Sequence, residues 1–411
     1  MKEIFLLALL GLSLGVSALD FSGNRMVSYT FWKTVSKEEL REKMKKNHVP
    51  KSLLNPKYDV DIYDITYKSC WHDSTCILAS GLVFVPKGVQ KPMAEVVYHH
   101  GTRVEKGRKK NIGGVDYLCL ALAVDGYLVL QPDYIGLGHG DKFHLYQQYK
   151  SLGQASVDMI YAVRELNDTL HVKLNEQLFL TGYSEGGYAA VAANKYIQES
   201  YPDIKVTATA GCSGAYDMRG VQSEVMFQKY SHPHYLPFLL HGLNEVYRIV
   251  PDISVIYKPP YDSIIPAMMD GTHSFKEIDG VLPEVPKDMI RDTFVNLFLN
   301  DPDFILNKAL NDNSLCHWKP ENPILLCYCE SDEQVNYRNS IVAREGMMQL
   351  GAKHITLRQS GKKYGHNKCA MFASTYAQLY FDSFRKGSKY GTKGSAGKRF
   401  LLALAKLAVK P

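Results

Sequence analysis

Long apolar runs are scarce in this sequence: the one that stands out, Ile4 to Val16, follows Lys2 and leads into Val16, Ser17 and Ala18. It is shorter than the ~20 residues that a bilayer span needs. Its layout is that of a cleaved secretory signal, with Ala18 as the last residue removed, and an N-terminal anchor is the weaker reading. A net basic excess is missing from the body of the chain as well. The formal charge is +6, but Arg385, Lys386, Lys389, Lys393, Lys398, Arg399, Lys406 and Lys410 crowd the acid-free stretch 385–411 and leave the remainder at −2. A folded basic face for nucleic acid is thereby excluded. The tail itself reads as a flexible end with a frayed helix; the other reading is a short cationic amphipathic segment that touches a membrane or a partner.

Cysteine is also sparse, eight in 411 residues, and a core of this size does not require disulfides. Cys70 and Cys76 flank "WHDST" and are expected to staple a hairpin, whereas Cys327 and Cys329 lack metal spacing and read as buried thiols. Metal patterns are missing elsewhere too: adjacent His99 and His100 face opposite ways on a strand, and no carboxylate spacing completes a site. A dinucleotide fingerprint is absent, since Gly136, Gly138 and Gly140 are spaced GxGxG with no helix opening on them. That stretch reads as a loop at a pocket edge.

What is present is alternation. Tyr63, Ile65 and Tyr67 alternate with polar residues, and "ILASGLVFVP" follows the Cys70–Cys76 turn, so an antiparallel pair opens the domain. Short apolar runs at 94–100, 127–134, 177–184, 205–212, 323–332 and 354–360 are separated by segments of helical period, such as Ala155, Met159, Ala162 and Leu166. The pattern predicts an α/β fold, a mostly parallel sheet with helices on both faces. Between 218 and 320 the alternation lapses into proline-broken helical fragments, too long for a loop, which read as a helical cap inserted where ligands bind in open α/β sheets. The expected organisation is a signal over 1–18, a core over 19–217 and 321–384, the cap over 218–320 and a basic tail over 385–411.

The candidate site starts from "LFLTGYSEGGYAA", where a strand turns through glycines into a helix with Ser184 at the bend. A serine hydroxyl is a weak nucleophile, so it must be lifted clear of the sheet toward a base and oxyanion donors, and a strand–turn–helix elbow does this. In such folds the partners follow in the order serine, acid, histidine. Asp332 ends the strand "PILLCYCESD" and His366 lies in "GKKYGHNKCAMF", both at carboxyl ends of strands. His366 is the expected base and Asp332 its orienting acceptor, with Glu330 and Glu333 as competing acids. The Glu185 amide and one from Thr102 or Gly101 are the expected oxyanion donors. This chemistry calls for neither metal nor cofactor.

"YHHGT", "PDYIGLG", "GQASVDMIYAVRELN", "GYSEGG", "GAYDM" and "HWKPENPILLCYCESDEQVNYRNS" with its later "GH" resemble the secretory lipase family of α/β-hydrolases, the group of Candida-type lipase A and its bacterial relatives, over about residues 58–384. The resemblance implies a serine carboxylester hydrolase with nucleophile Ser184, acid Asp332, base His366 and oxyanion donors at Glu185 and Thr102, acting on acyl chains under a cap. Tyr328 and Cys329 depart from the His-Gly frequent in relatives, and the basic "RVEKGRKK" and C-terminal tail are not family features, which leaves substrate identity open. The expected partner is a small-molecule or lipid ester, with no nucleic acid and with peripheral contact at a lipid interface as an option. Two rivals remain: a peptidase on the same scaffold, for which no acidic pair to hold a substrate amine is discernible, and a non-catalytic hydrolase-fold binding protein, which usually loses a triad member.

Overall fold

The computed structural model describes residues 23–46, 55–107, 111–114, 116–392 and 394–408, so the expected signal up to Ala18 lies outside the described residues. Strands β1 (Met26–Val35), β2 (Val60–Cys70), β3 (Cys76–Pro86), β4 (Met93–His99), β5 (Tyr127–Pro132), β6 (Leu174–Tyr183), β7 (Val206–Cys212), β8 (Ile324–Cys329) and β9 (Ile355–Gly361) form one sheet. Their order is β1-β2-β3-β5-β4-β6-β7-β8-β9. The first four in that order pair antiparallel, and every pairing from β5 through β9 is parallel. The opening hairpin and the parallel strands match the sequence reading. β1 carries no comparable apolar signal, because most of its residues are exposed at the sheet edge.

Helices α1 (Lys37–Lys46), α2 (Asp116–Ala123), α3 (Tyr149–Glu165), α4 (Glu185–Ser200), α10 (Arg338–Gln349) and α11 (His366–Arg385) cover the sheet. Neighbouring residues of one strand feed opposite layers, as the two-residue period of a strand demands. Val96 and Phe179 pack with Leu120 of α2 and Phe381 of α11. Val97, Leu178 and Leu180 pack with Ile160 of α3 and Ala193 of α4. Helices on both sides account for strands that are apolar throughout rather than alternating.

Between β7 and β8 the chain forms α5 (Tyr235–Tyr247), α6 (Tyr261–Met268), α7 (Phe275–Asp279), α8 (Asp292–Asn300) and α9 (Ile305–Asp312). Phe238, Leu243, Phe294, Phe298 and Leu310 from this stretch share one apolar cluster with Tyr188 of α4 and Leu326 of β8. The inserted helices therefore sit on the α4 side of the sheet, beside the ends of β7 and β8.

Two expectations about the cysteines are corrected. Cys70 and Cys76 are register partners across the β2–β3 hairpin, but they are thiols, and the disulfide joins Cys329, expected as a buried thiol like Cys327, to Cys369. A reading confined to neighbours in sequence cannot see a partner 40 residues away on a helix. In the C-terminal stretch α12 (Ala396–Ala408) buries Leu402 against the α11 layer, and Lys398 Nζ stands 3.2 Å from Asp382. Among the described residues no helix is long and apolar enough to cross a membrane.

Candidate active site

Ser184 leaves β6 with φ 63° and ψ −125°, a left-handed conformation that costs a non-glycine residue on the order of 1–3 kcal/mol. The surroundings hold it there. Its amide donates to the Cys212 carbonyl at 2.9 Å, and its own carbonyl accepts from the Gly187 and Tyr188 amides at 2.9 and 3.1 Å. The glycines around it are required by close approach of backbone: a Cβ on Gly182 would lie 2.3 Å from the Gly186 carbonyl oxygen, and one on Gly186 would lie 2.0 Å from that of His99. Neither strand can yield without breaking its pairing. The elbow thus follows from α4 being packed hard against the ends of β4 and β7.

Asp332, on the loop after β8, and His366, which opens α11 after β9, come together. Both oxygens of Asp332 lie 2.8 Å from His366 Nδ1, and the two side chains are 1% and 5% exposed. Asp332 Oδ1 also accepts from the Gln334 and Val335 amides at 3.0 and 2.9 Å, which fixes the carboxylate. The competing acids are engaged elsewhere: Glu333 accepts from the His366 backbone amide at 2.9 Å, at the start of α11, and Glu330 pairs with Gln359. An acid at a helix start is electrostatically favoured, which gives Glu333 a structural reason to be there.

Tyr183, the residue before Ser184, donates its hydroxyl to the His366 carbonyl at 2.6 Å, and the two rings stand 4.9 Å apart. Burial, helped by the Asp332 charge, pushes the Tyr183 hydroxyl far above its ordinary range, so it stays a donor. The disulfide adds a covalent tie. Cys329 closes β8 three residues before Asp332, and Cys369 lies three residues after His366 on α11. Serine elbow, acid loop and histidine helix are therefore each fastened to the next.

Glu185 opens the 16-residue helix α4, where first-turn amides lack intrahelical partners and the helix end is positive. The loop after β4 runs beside it: a Cβ on Gly101 would stand 3.7 Å from Ser184 Cβ. Thr102 follows, its hydroxyl 3.3 Å from that of Tyr146. Sequence reasoning missed His144. Its Nε2 lies 2.6 Å from Oε1 of the buried Glu185 side chain and its Nδ1 lies 3.1 Å from the Ile135 carbonyl, so it anchors the side chain of the residue that follows Ser184. No motif marks that pairing, because 41 residues separate the partners. His99 and His100 are both interior groups: burial pushes His99 down to about 4 and His100 well below its usual range, and His99 is bound to the Thr181 carbonyl and the Ser156 hydroxyl at 3.0 and 2.8 Å.

Ser184 stands on the wall of a cavity of about 90 Å³, lined otherwise by residues such as Tyr146, Met226, Leu236, Leu240, Phe298 and Leu310. Most of that wall comes from the helices between β7 and β8. A polar atom that could react at one end and an apolar sleeve beyond it suit a ligand with the same division.

The sequence profile of the secretory lipases matches residues 111–379. No curated protein matches by sequence. Solved structures do. A Legionella pneumophila protein provisionally named as a hydrolase is 27% identical, with 89% of this chain and 99% of that one covered and a TM-score of 0.82. The rice cell wall degrading esterase LipA from Xanthomonas oryzae is 20% identical over 87% of this chain and 98% of that one, with a TM-score of 0.77. Candida antarctica lipase A is 14% identical over 93% and 89%, with a TM-score of 0.64, and at such identities the likeness concerns the α/β-hydrolase fold.

Proposed function

The chain belongs to the secretory lipase family and is a hydrolase of carboxylic esters, and from that premise we propose that Ser184, His366 and Asp332 carry the reaction through an acyl-enzyme. Ser184 Oγ attacks the ester carbonyl carbon while His366 Nε2 takes its proton. Asp332 holds Nδ1–H of the ring and stabilises the imidazolium that forms. The Glu185 amide and a second one from Thr102 hold the tetrahedral oxyanion, each such donor contributing on the order of 10²-fold or more to turnover. His366 then returns the proton to the departing alkoxide. In the second half, water attacks the acyl carbon, His366 takes its proton, and collapse frees the carboxylic acid and Ser184.

The acyl chain occupies the apolar cavity beside Ser184, under residues 218–320 acting as a cap. The observation that carries this reading is the contact between both Asp332 oxygens and His366 Nδ1 at 2.8 Å, with the His366 backbone carbonyl held by the hydroxyl of the residue preceding Ser184. A family named for secretion supports export, and cleavage after Ala18 is the corresponding processing step. Ser184→Ala is expected to fold normally while losing both p-nitrophenyl ester hydrolysis and fluorophosphonate labelling. Retained turnover in that variant would remove Ser184 from the mechanism.

A further inference from the structure

Away from the elbow, among the described residues, three ligand-type side chains converge: His232 and His234 just before α5, and Asp279 at the end of α7. His232 Nδ1 lies 3.2 Å from Asp279 Oδ2 and His234 Nδ1 lies 2.8 Å from Asp279 Oδ1, with one ligand atom of each residue within 4.8 Å of the others. Ligand atoms at the usual zinc distances of about 2.0–2.2 Å are separated by roughly 3.3 Å at a tetrahedral angle. The two histidine-to-aspartate separations, 3.2 and 2.8 Å, fall within about half an ångström of that edge.

Capping alone does not account for the cluster. Asp279 Oδ1 already accepts the His234 backbone amide at 3.0 Å, and the first amides of α5 bond to backbone carbonyls, so neither needs an imidazole. Yet two rings turn the same nitrogen toward this one carboxylate, one of them from the partly exposed His232. Their orientations are fixed by packing. His234 is 2% exposed, with its ring 4.4 Å from that of Tyr235 and 6.0 Å from that of Phe275; His232 sits 5.4 and 6.0 Å from the same two rings. Pro233 between them removes backbone freedom. The partial exposure of His232 and Asp279 leaves a way in for an ion and room for a water in a fourth position.

We propose that His232, His234 and Asp279 bind one divalent transition-metal ion of the zinc class through two Nδ1 atoms and a carboxylate oxygen. Imidazole with carboxylate is the donor set that suits such ions. The ion joins the start of α5 to the end of α7, next to Tyr235, which lines the cavity with Ser184. Its role is to brace that wall, and it takes no part in ester cleavage.

The test is calorimetric titration of the chelator-stripped full chain with zinc sulfate, paired with thermal unfolding. The wild type is expected to take up one equivalent at micromolar affinity or tighter and to gain several degrees in Tm. His232→Gln and Asp279→Asn are expected to weaken binding at least tenfold and to lose the Tm gain. His273→Gln, which alters a separate His–Asp pair with Asp270 at 3.0 Å, should bind as the wild type does. Absence of zinc uptake by the wild type, or undiminished uptake by both His232→Gln and Asp279→Asn, overturns the site.

Discussion

Asp332 presents both carboxylate oxygens to His366 Nδ1 at 2.8 Å, whereas its neighbour Glu333 reaches only the His366 backbone amide. The two acids therefore separate by role. Asp332→Asn should lower kcat by about 10⁴-fold, because a neutral amide can turn its NH2 group to Nδ1, which selects the wrong tautomer and no longer stabilises the imidazolium. Glu333→Gln keeps an acceptor for the amide and should cost less than tenfold. Steady-state kinetics on p-nitrophenyl butyrate compare them, and equal losses would break the assignment.

The strained φ of Ser184 makes a stability prediction that runs against activity. Ser184→Gly relieves a conformation that any Cβ resists, at the expense of greater freedom in the unfolded chain. It should be inactive, yet more stable than Ser184→Ala by about 1 kcal/mol. Denaturant midpoints at constant m-value report the difference, and a less stable glycine variant would contradict it.

Cys329 and Cys369 close a loop of 40 residues that contains both Asp332 and His366. By the chain-entropy estimate such a closure stabilises the fold by about 4 kcal/mol. Cys369→Ser should therefore lower Tm markedly and also reduce kcat, since β8 and α11 are no longer tied beside the acid–base pair. Cys76→Ser, made in the hairpin first expected to be stapled, should leave Tm within a degree or two. Thermal scans of the two variants decide between the pairings.

Leu236 lines the cavity that also contains Ser184 and is only partly buried in the surrounding cluster, so a larger side chain can be accommodated there without rebuilding the core. Leu236→Trp should shorten the space for an acyl chain. Activity on octanoyl and longer esters should fall at least tenfold while acetyl esters keep most of theirs. A uniform loss across chain lengths would place the acyl chain elsewhere.

Acid should destabilise the protein through its interior histidines. Burial lowers His99 and His241 from 6.5 to about 4, so below pH 6.5 the unfolded chain binds protons that the folded one refuses. Stability present above pH 6.5 is lost as pH falls toward 4, up to ~3 kcal/mol for each group. Asp158, raised mainly by burial from 3.8 to about 6, has the opposite sign and offsets part of this loss as it protonates below pH 6. The net expectation is a lower Tm at pH 5 than at pH 7.5, with a shallower fall in His241→Phe. An identical fall in that variant would show that His241 is not among the groups responsible.

Much of the architecture was written in local pattern. Buried strands must be apolar when helices cover both faces, so β4 through β8 were legible, and the glycines around Ser184 betrayed an elbow because only glycine tolerates carbonyl oxygens of β4 and β7 at that distance. The order of serine, aspartate and histidine along the chain, together with their places after strands, named the candidate triad. What no local pattern held were pairings between segments remote in sequence. Cys329 chose Cys369 over a nearer cysteine, His144 came to rest on Glu185, and His232, His234 and Asp279 met across two helices. Such contacts depend on how elements pack in three dimensions, and sequence spacing carries no record of that distance once the chain has folded back on itself.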